Sequence, residues 1–152
     1  MDNTALKERI LALVPDAEFQ ENKQFLTFII PPAKMHDLAV TLKTDTALAF
    51  DYLFCLSGVD MVKFLEVVYH LESTAHGHQL VLKTRTADRE NAALDTVCDL
   101  WRTAEFHERE VYDLMGIRFT NHPDLRRLFL EEGWIGHPLR KDYKDEVNIV
   151  EL

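Results

Sequence analysis

The chain has 152 residues, 47% of them hydrophobic, with only five glycines and five prolines, so one core-bearing domain is expected and a disordered tract is not. Seventeen Lys and Arg against 26 Asp and Glu leave a net charge of −9. That balance argues against nucleic acid as a partner, because gripping a phosphate backbone relies on basic residues displacing counterions.

The N-terminal stretch MDNTALKERILALVPDAEF carries charges throughout and lacks the apolar core of a signal peptide. No apolar run approaches the roughly 20 residues of a membrane span. The expectation is a soluble cytoplasmic chain able to dock on something embedded in a membrane. Cys55 and Cys98 each stand among apolar neighbours and read as buried thiols in a reducing compartment.

Leu6, Ile10, Leu13 and Val14 fall at helical spacing, and Pro15 closes that first helix. A strand is expected from Gln24 to Ile30, ending at Pro31-Pro32, which leads into a second helix carrying Leu38, Val40 and Leu42. FDYLFCLSGVDM, interrupted by Gly58, reads as a helical turn running into a loop. KFLEVVYHLEST and QLVLKTRT read as two strands of a hairpin joined through Ala-His-Gly-His. Leu65, Val67, Tyr69 and Leu71 share one face of the first, with Glu66, Val68 and His70 on the other, so helices should cover one side of the sheet.

Leu94, Val97, Cys98 and Trp101 form the stripe of a further helix. AEFHEREVYDLMG is helical by composition and stopped by Gly116. The expected class is α+β, with a small mixed sheet, a central β-hairpin and helices on one face. Beyond Thr120 the pattern changes to an extended arm, with a helical turn near Leu125 to Phe129. The division is residues 1–119 for the α+β part and 120–152 for the arm, within a single unit.

The motifs of cofactor chemistry are missing. There is no Gly-x-Gly-x-x-Gly, Walker loop, Gly-x-Ser-x-Gly or Cys-x-x-Cys. His107 lacks a second histidine four residues on, and His76 and His78 merely flank a hairpin glycine. A metal site built from His107, His122 or His137, fifteen residues apart, is the one metalloenzyme reading that the spacing leaves open.

Charge is concentrated between Glu105 and Tyr143. Phe106, Glu110, Asp113 and Leu114 are spaced along one side of a helix, and Arg109 and Asp113 stand at i, i+4, where an ion pair can form. Carboxylates beside an apolar stripe call for partners. In the arm, a His-Pro pair followed by basic residues occurs twice, at His122 to Arg127 and at His137 to Lys141. Each proline restricts the histidine before it, stiffening turns that present Arg126, Arg127 and Arg140. The residues alone leave two readings open: a docking arm, or an internal ion-pair network.

EREVYDLMGIRFTNHPDLRRLFLEEGWIGHPLRKDY, Glu108 to Tyr143, resembles the 30-kDa subunit family of proton-pumping NADH:quinone oxidoreductase, respiratory complex I. The Glu-Arg-Glu-x-x-Asp core, the His-Pro-Asp-Leu-Arg-Arg run and the Gly-His-Pro-Leu-Arg-Lys-Asp-Tyr end carry the resemblance, and FDYLFCLSGVDM adds to it. The resemblance implies a non-catalytic member of the peripheral arm. NADH, FMN, iron–sulfur clusters and quinone would be held by partner chains, and this chain would hold no cofactor or metal. The implied partners are the 49-kDa-type subunit and the iron–sulfur subunits, at the cytoplasmic face of a bacterial inner membrane.

Glu108, Arg109, Glu110, Asp113, His122, Asp124, Arg126, Arg127, His137, Arg140, Lys141, Asp142 and Tyr143 would then form the network that fixes the arm. Arg126→Ala or Arg140→Ala would weaken assembly more than they destabilise the isolated domain. The chain ends nine residues after Tyr143, so a longer tail and fusion to the 49-kDa-type subunit are expected to be absent. Related subunits serve membrane-bound hydrogenase-type complexes, so the electron donor is not fixed by the resemblance.

Overall fold

The computed structural model describes residues 2–144. Helix α1, Asn3–Leu13, starts where the Asp2 side chain accepts a hydrogen bond from the Ala5 amide, satisfying one of the orphan donors of a helix start. Strands β1, Glu18–Gln20, and β2, Thr27–Ile29, form an antiparallel pair. Helix α2, Pro32–Thr44, begins on a proline, whose fixed backbone angle suits the first turn. Both helices face the core, α1 through Leu6 and Ile10 and α2 through Leu38 and Leu42 as expected, with Met35 buried in place of the half-buried Val40.

Strands β3, Tyr52–Asp60, β4, Leu65–Glu72, and β5, Gln79–Thr86, complete a mixed sheet in the order β1-β2-β5-β4-β3. Within this sheet the β2–β5 pair is parallel and the others are antiparallel. The β4–β5 hairpin and its alternation are as expected: Leu65, Val67, Tyr69 and Leu71 are all fully buried. A short parallel pair, β6 (Ala93–Asp95) with β7 (Arg118–Thr120), brackets helix α3, Ala104–Met115. Gly116 ends α3 in the left-handed conformation, at φ 75°, as its position foretells.

Four local expectations are corrected. FDYLFCLSGVDM is the edge strand β3, not a helical turn. A register shift between Leu53 and Cys55 breaks the alternation and sets buried Leu53 and Leu56 three apart, which imitates a helical period. The stripe Leu94, Val97, Trp101 is likewise not a helix. Leu94 lies in β6, and Val97 to Trp101 make one turn in which the Leu100 and Trp101 amides donate to the Val97 carbonyl. The expected strand Gln24–Ile30 shrinks to Thr27–Ile29. Finally, Leu125 to Phe129 forms no helical turn, because the amides of Leu128, Phe129 and Leu130 all donate to the Asp113 carboxylate.

Past β7 the described chain contains no helix or strand. This arm folds back over the C-terminal end of α3, and that contact creates the site.

Candidate functional site

Helix α3 presents its polar residues to three different environments. Asp113 is fully buried. One of its oxygens accepts the amides of Phe129 at 2.7 Å, Leu130 at 3.1 Å and Leu128 at 3.2 Å, and the other accepts Arg127 Nη1 at 2.9 Å. Burial pushes the Asp113 carboxyl upward. The Phe129 amide, the Arg127 guanidinium and the Leu130 and Leu128 amides outweigh it and hold the group below the ordinary carboxylate value. Arg127 also donates to the carbonyls of Asp113, Trp134 and Gly136, so a single guanidinium fastens three parts of the chain.

Arg109, also buried, donates to the carbonyls of Arg126 and Arg127. The ion pair that the i, i+4 spacing of Arg109 and Asp113 allows is not made, because each residue finds a partner in the arm. His137 reaches the Asp113 carbonyl through Nδ1 at 3.0 Å, and Arg140 Nε donates to the Met115 carbonyl. Gly116 is required here: a β-carbon on it would stand 2.5 Å from His137 Cδ2 and 2.9 Å from Arg140 Nη2. Burial first, then the cations Arg127 and Arg140, hold His137 below the usual histidine value against its bond to Asp113.

Glu108 belongs to a second cluster. It is fully buried, accepting the Thr96 hydroxyl and the Cys98 thiol (3.1 Å) on one oxygen and the Val97 amide (3.0 Å) on the other. Burial raises its carboxyl above the ordinary value even though these donors oppose the shift. Burial also pushes the Cys98 thiol up to about 12. The expectation of apolar surroundings for Cys98 is thus corrected, and both cysteines are half-buried rather than buried.

Cys98, Glu108 and His122 are the one trio of potential metal ligands that converge among the described residues, and His107 and His137 are not part of it. His122 has no lone pair to offer. Its Nδ1 accepts the Asp124 amide at 2.9 Å, so Nε2 carries the proton and donates to the Glu105 carbonyl at 3.0 Å. The thiol and both Glu108 oxygens are occupied as well. The trio fits a hydrogen-bonded clasp better than a cation site.

The remaining expected residues divide. Arg126 pairs with Asp124, at an exposed position two residues away. Glu110 is half-buried and makes no ion pair among the described residues. Tyr143 covers Gly136, where a β-carbon would stand 2.9 Å from the ring. Lys141 takes part through its backbone amide, which donates to Asp60 at 2.9 Å.

Asp60 and Arg89 form an ion pair under the arm that the sequence did not single out. Arg89 grips Asp60 through two bonds of 2.6 and 2.8 Å, and Asp142 stands 3.6 Å from the same guanidinium. The Arg89 hydrogen bonds, helped by the Lys141 and Val62 amides, hold the Asp60 carboxyl well below the usual range despite its burial. The sequence signal is slight: an aspartate ending an apolar strand, with its arginine 29 positions away.

Residues 28–147 match the family described as the 30-kDa subunit of respiratory-chain NADH dehydrogenase. The chain is 48% identical over 120 residues to the C/D subunit of NADH-quinone oxidoreductase from Phocaeicola vulgatus, aligning 78% of itself with 23% of that protein. It therefore spans about a quarter of the length of these C/D relatives. To the C subunit of NADH-quinone oxidoreductase from Roseiflexus castenholzii it is 40% identical over 147 residues, which cover 93% of this chain and 84% of that one.

Among solved structures, the trypsin-resistant fragment of Nqo5 is similar with a TM-score of 0.71 at 30% identity, covering 82% of this chain and all of that one. A chain of the membrane-bound sulfane sulfur reductase, an archaeal respiratory membrane complex, is similar with a TM-score of 0.73 at 28% identity, covering 95% and 86%.

Proposed function

Because the chain belongs to the 30-kDa subunit family of respiratory-chain NADH dehydrogenase, we propose that it serves as a non-catalytic structural member of the peripheral arm of a proton-translocating NADH:quinone oxidoreductase. Electrons from NADH would pass through FMN and iron–sulfur clusters in partner chains to quinone, while this chain holds those partners in register. The relatives named for both C and D support a D-type, 49-kDa-type partner beside it, with iron–sulfur subunits next in line. Association with the membrane would come through other subunits, at the cytoplasmic face of a bacterial inner membrane. No helix of the described residues is long and apolar enough to cross a membrane.

The observation that carries this reading is the arm past β7, in its described residues 121–144. Arg127 and the Leu128–Leu130 amides turn inward onto Asp113, the Arg126 and Arg127 carbonyls onto Arg109, and the Lys141 amide onto Asp60, while the large apolar side chains Phe129, Ile135 and Leu139 are exposed. Ile135 is 90% exposed. An arm pinned from below, with large apolar side chains exposed among charged ones above, is suited to bury part of its outer surface against another protein. Purification from detergent-solubilised membranes through a tag on this chain should recover iron–sulfur and flavin-bearing partners with NADH:quinone activity. Recovery of a free monomer alone would refute it.

A second reading keeps the docking role and changes the electron donor. The sulfane sulfur reductase chain supports it, since a similar fold sits in a respiratory complex whose name does not include NADH. A membrane-bound hydrogenase-type complex would be of the same kind. Co-purified flavin and NADH oxidation favour the first reading, and a nickel-containing partner favours the second.

A further inference from the structure

Strand β3 ends the sheet with one side unpaired, since β4 is its one strand neighbour among the described residues. From Cys55 to Asp60 the strand keeps regular register and contains neither proline nor lysine, the devices that usually blunt an exposed edge. Beside this edge lies a cleft of about 260 Å³. Its floor is Ser57 and Gly58, and its walls are Val111 and Met115 of α3 and Leu139 of the arm. Gly58 lets α3 close onto β3 to form the wall, because a β-carbon there would stand 3.0 Å from Val111 Cγ1 and 3.1 Å from Met115 Cγ.

Glu110 stands at the rim of this cleft, half-buried and without an ion-pair partner among the described residues. A carboxylate on an apolar rim favours a cation, whose arrival compensates the desolvation it suffers on being covered. An unpaired strand edge favours an extended backbone. We infer that β3 is a strand-addition site for an extended, basic segment of a partner subunit. That segment hydrogen-bonds to the free edge, places an apolar side chain in the Gly58 cleft, and pairs a Lys or Arg two positions along with Glu110. Residues two apart on a strand share a face, which lets one segment serve both contacts. The inference rests on the subunit reading proposed for the chain.

A second copy of this chain fits poorly. Its own β3, YLFCLSGVD, has no basic residue, and each copy brings a net charge of −9. Pairing two edges would set acidic rims against each other.

Cys55 lines the same cleft and provides the reporter, while Cys98 is tied to Glu108. Alkylation by iodoacetamide should label Cys55 readily in the isolated full chain and roughly tenfold more slowly in the complex purified from membranes. A benzoylphenylalanine introduced at Ser57 should cross-link, in the complex, to a partner peptide containing Lys or Arg. Glu110→Lys should lower recovery of the complex roughly tenfold, while Glu110→Gln lowers it less and neither shifts the melting temperature of the isolated chain appreciably.

Equal Cys55 reactivity in both states, with partners still co-purifying, overturns the strand-addition site alone. So does a Ser57 cross-link to a second copy of this chain. Failure of any partner to co-purify overturns the subunit reading and this inference with it.

Discussion

Asp113 and Arg127 are joined at 2.9 Å across fourteen positions of sequence, and the same carboxylate caps three consecutive amides of the arm. This one relationship decides how the arm leaves the domain. Without it the Leu128–Leu130 amides would lack acceptors, and Arg127 would lose the charge that offsets its own partial burial.

Asp113→Asn should therefore destabilise the isolated chain by about 3–5 kcal/mol, the cost of leaving one member of a buried pair uncompensated. Asp124→Ala, which removes an exposed pair with Arg126, should cost no more than about 1 kcal/mol. Urea unfolding of both variants checks the contrast. Similar losses would show that the Asp113 pair is not the main anchor.

The arginines of the arm should separate in the same way. Arg127→Ala should lower the stability of the isolated chain, whereas Arg126→Ala should leave it nearly unchanged and reduce recovery of the assembled complex. Melting curves of the isolated variants beside pull-downs from membranes give both readouts. Arg140, bound to the Met115 carbonyl over Gly116, should behave more like Arg127 than like Arg126.

Glu108 should respond to pH in the opposite sense from Asp113. Its carboxyl is raised, so its contribution to stability is complete below the unfolded value near 4.5 and declines as pH rises through the folded value. Glu108→Gln imitates the protonated acid and should cost only about 1 kcal/mol near neutral pH, while removing that decline. Urea midpoints measured between pH 4 and 8 for both proteins test it. A parallel pH profile in the variant would contradict the assignment.

Acid should loosen the arm first at His137. Its folded pKa is lowered, so the stabilisation is complete above the unfolded value of 6.5 and is lost as pH falls below it. Asp113 and Asp60, both lowered from 3.8, hold until much lower pH. Hydrogen exchange at Leu128–Leu130, corrected for intrinsic rates, should show protection falling as pH drops below 6.5. His137→Gln should abolish that step, and an unchanged step would assign it elsewhere.

Gly116→Ala should displace the arm without touching its charges. It forces a side chain into a left-handed position and against the His137 ring. A loss of about 1–3 kcal/mol is expected, with faster exchange at the same three amides. Stability within about 0.5 kcal/mol of the parent would mean that the contact is not needed.

How far the fold could be read depended on whether neighbouring residues in sequence decided the structure. The α1, α2 and α3 helices and the β4–β5 hairpin have regular apolar periods and local stop signals such as Pro15 and Gly116, so their spacing is enough. Strand β3 hides from its sequence because its bulge imitates a helical period. The turn at Val97 stops short of a helix because the Glu108 carboxylate, eleven residues on, takes the Val97 amide that a longer helix would have used.

Local pattern was sufficient for the α+β class, the buried face of β4, the family through its Glu108–Tyr143 stretch, and the concentration of ionic groups there. Which ions meet was settled by packing in three dimensions. Arg109 and Asp113 share a helix and ignore each other, while Asp60 and Arg89, far from the arm in sequence, hold its Lys141 amide through Asp60. The reason is physical: spacing along a helix brings two charges within reach, but burial selects the partner that also satisfies the remaining hydrogen bonds. The repeated His-Pro turns follow the same rule, with His122 bonded to the Glu105 carbonyl and His137 to the Asp113 carbonyl, both in α3.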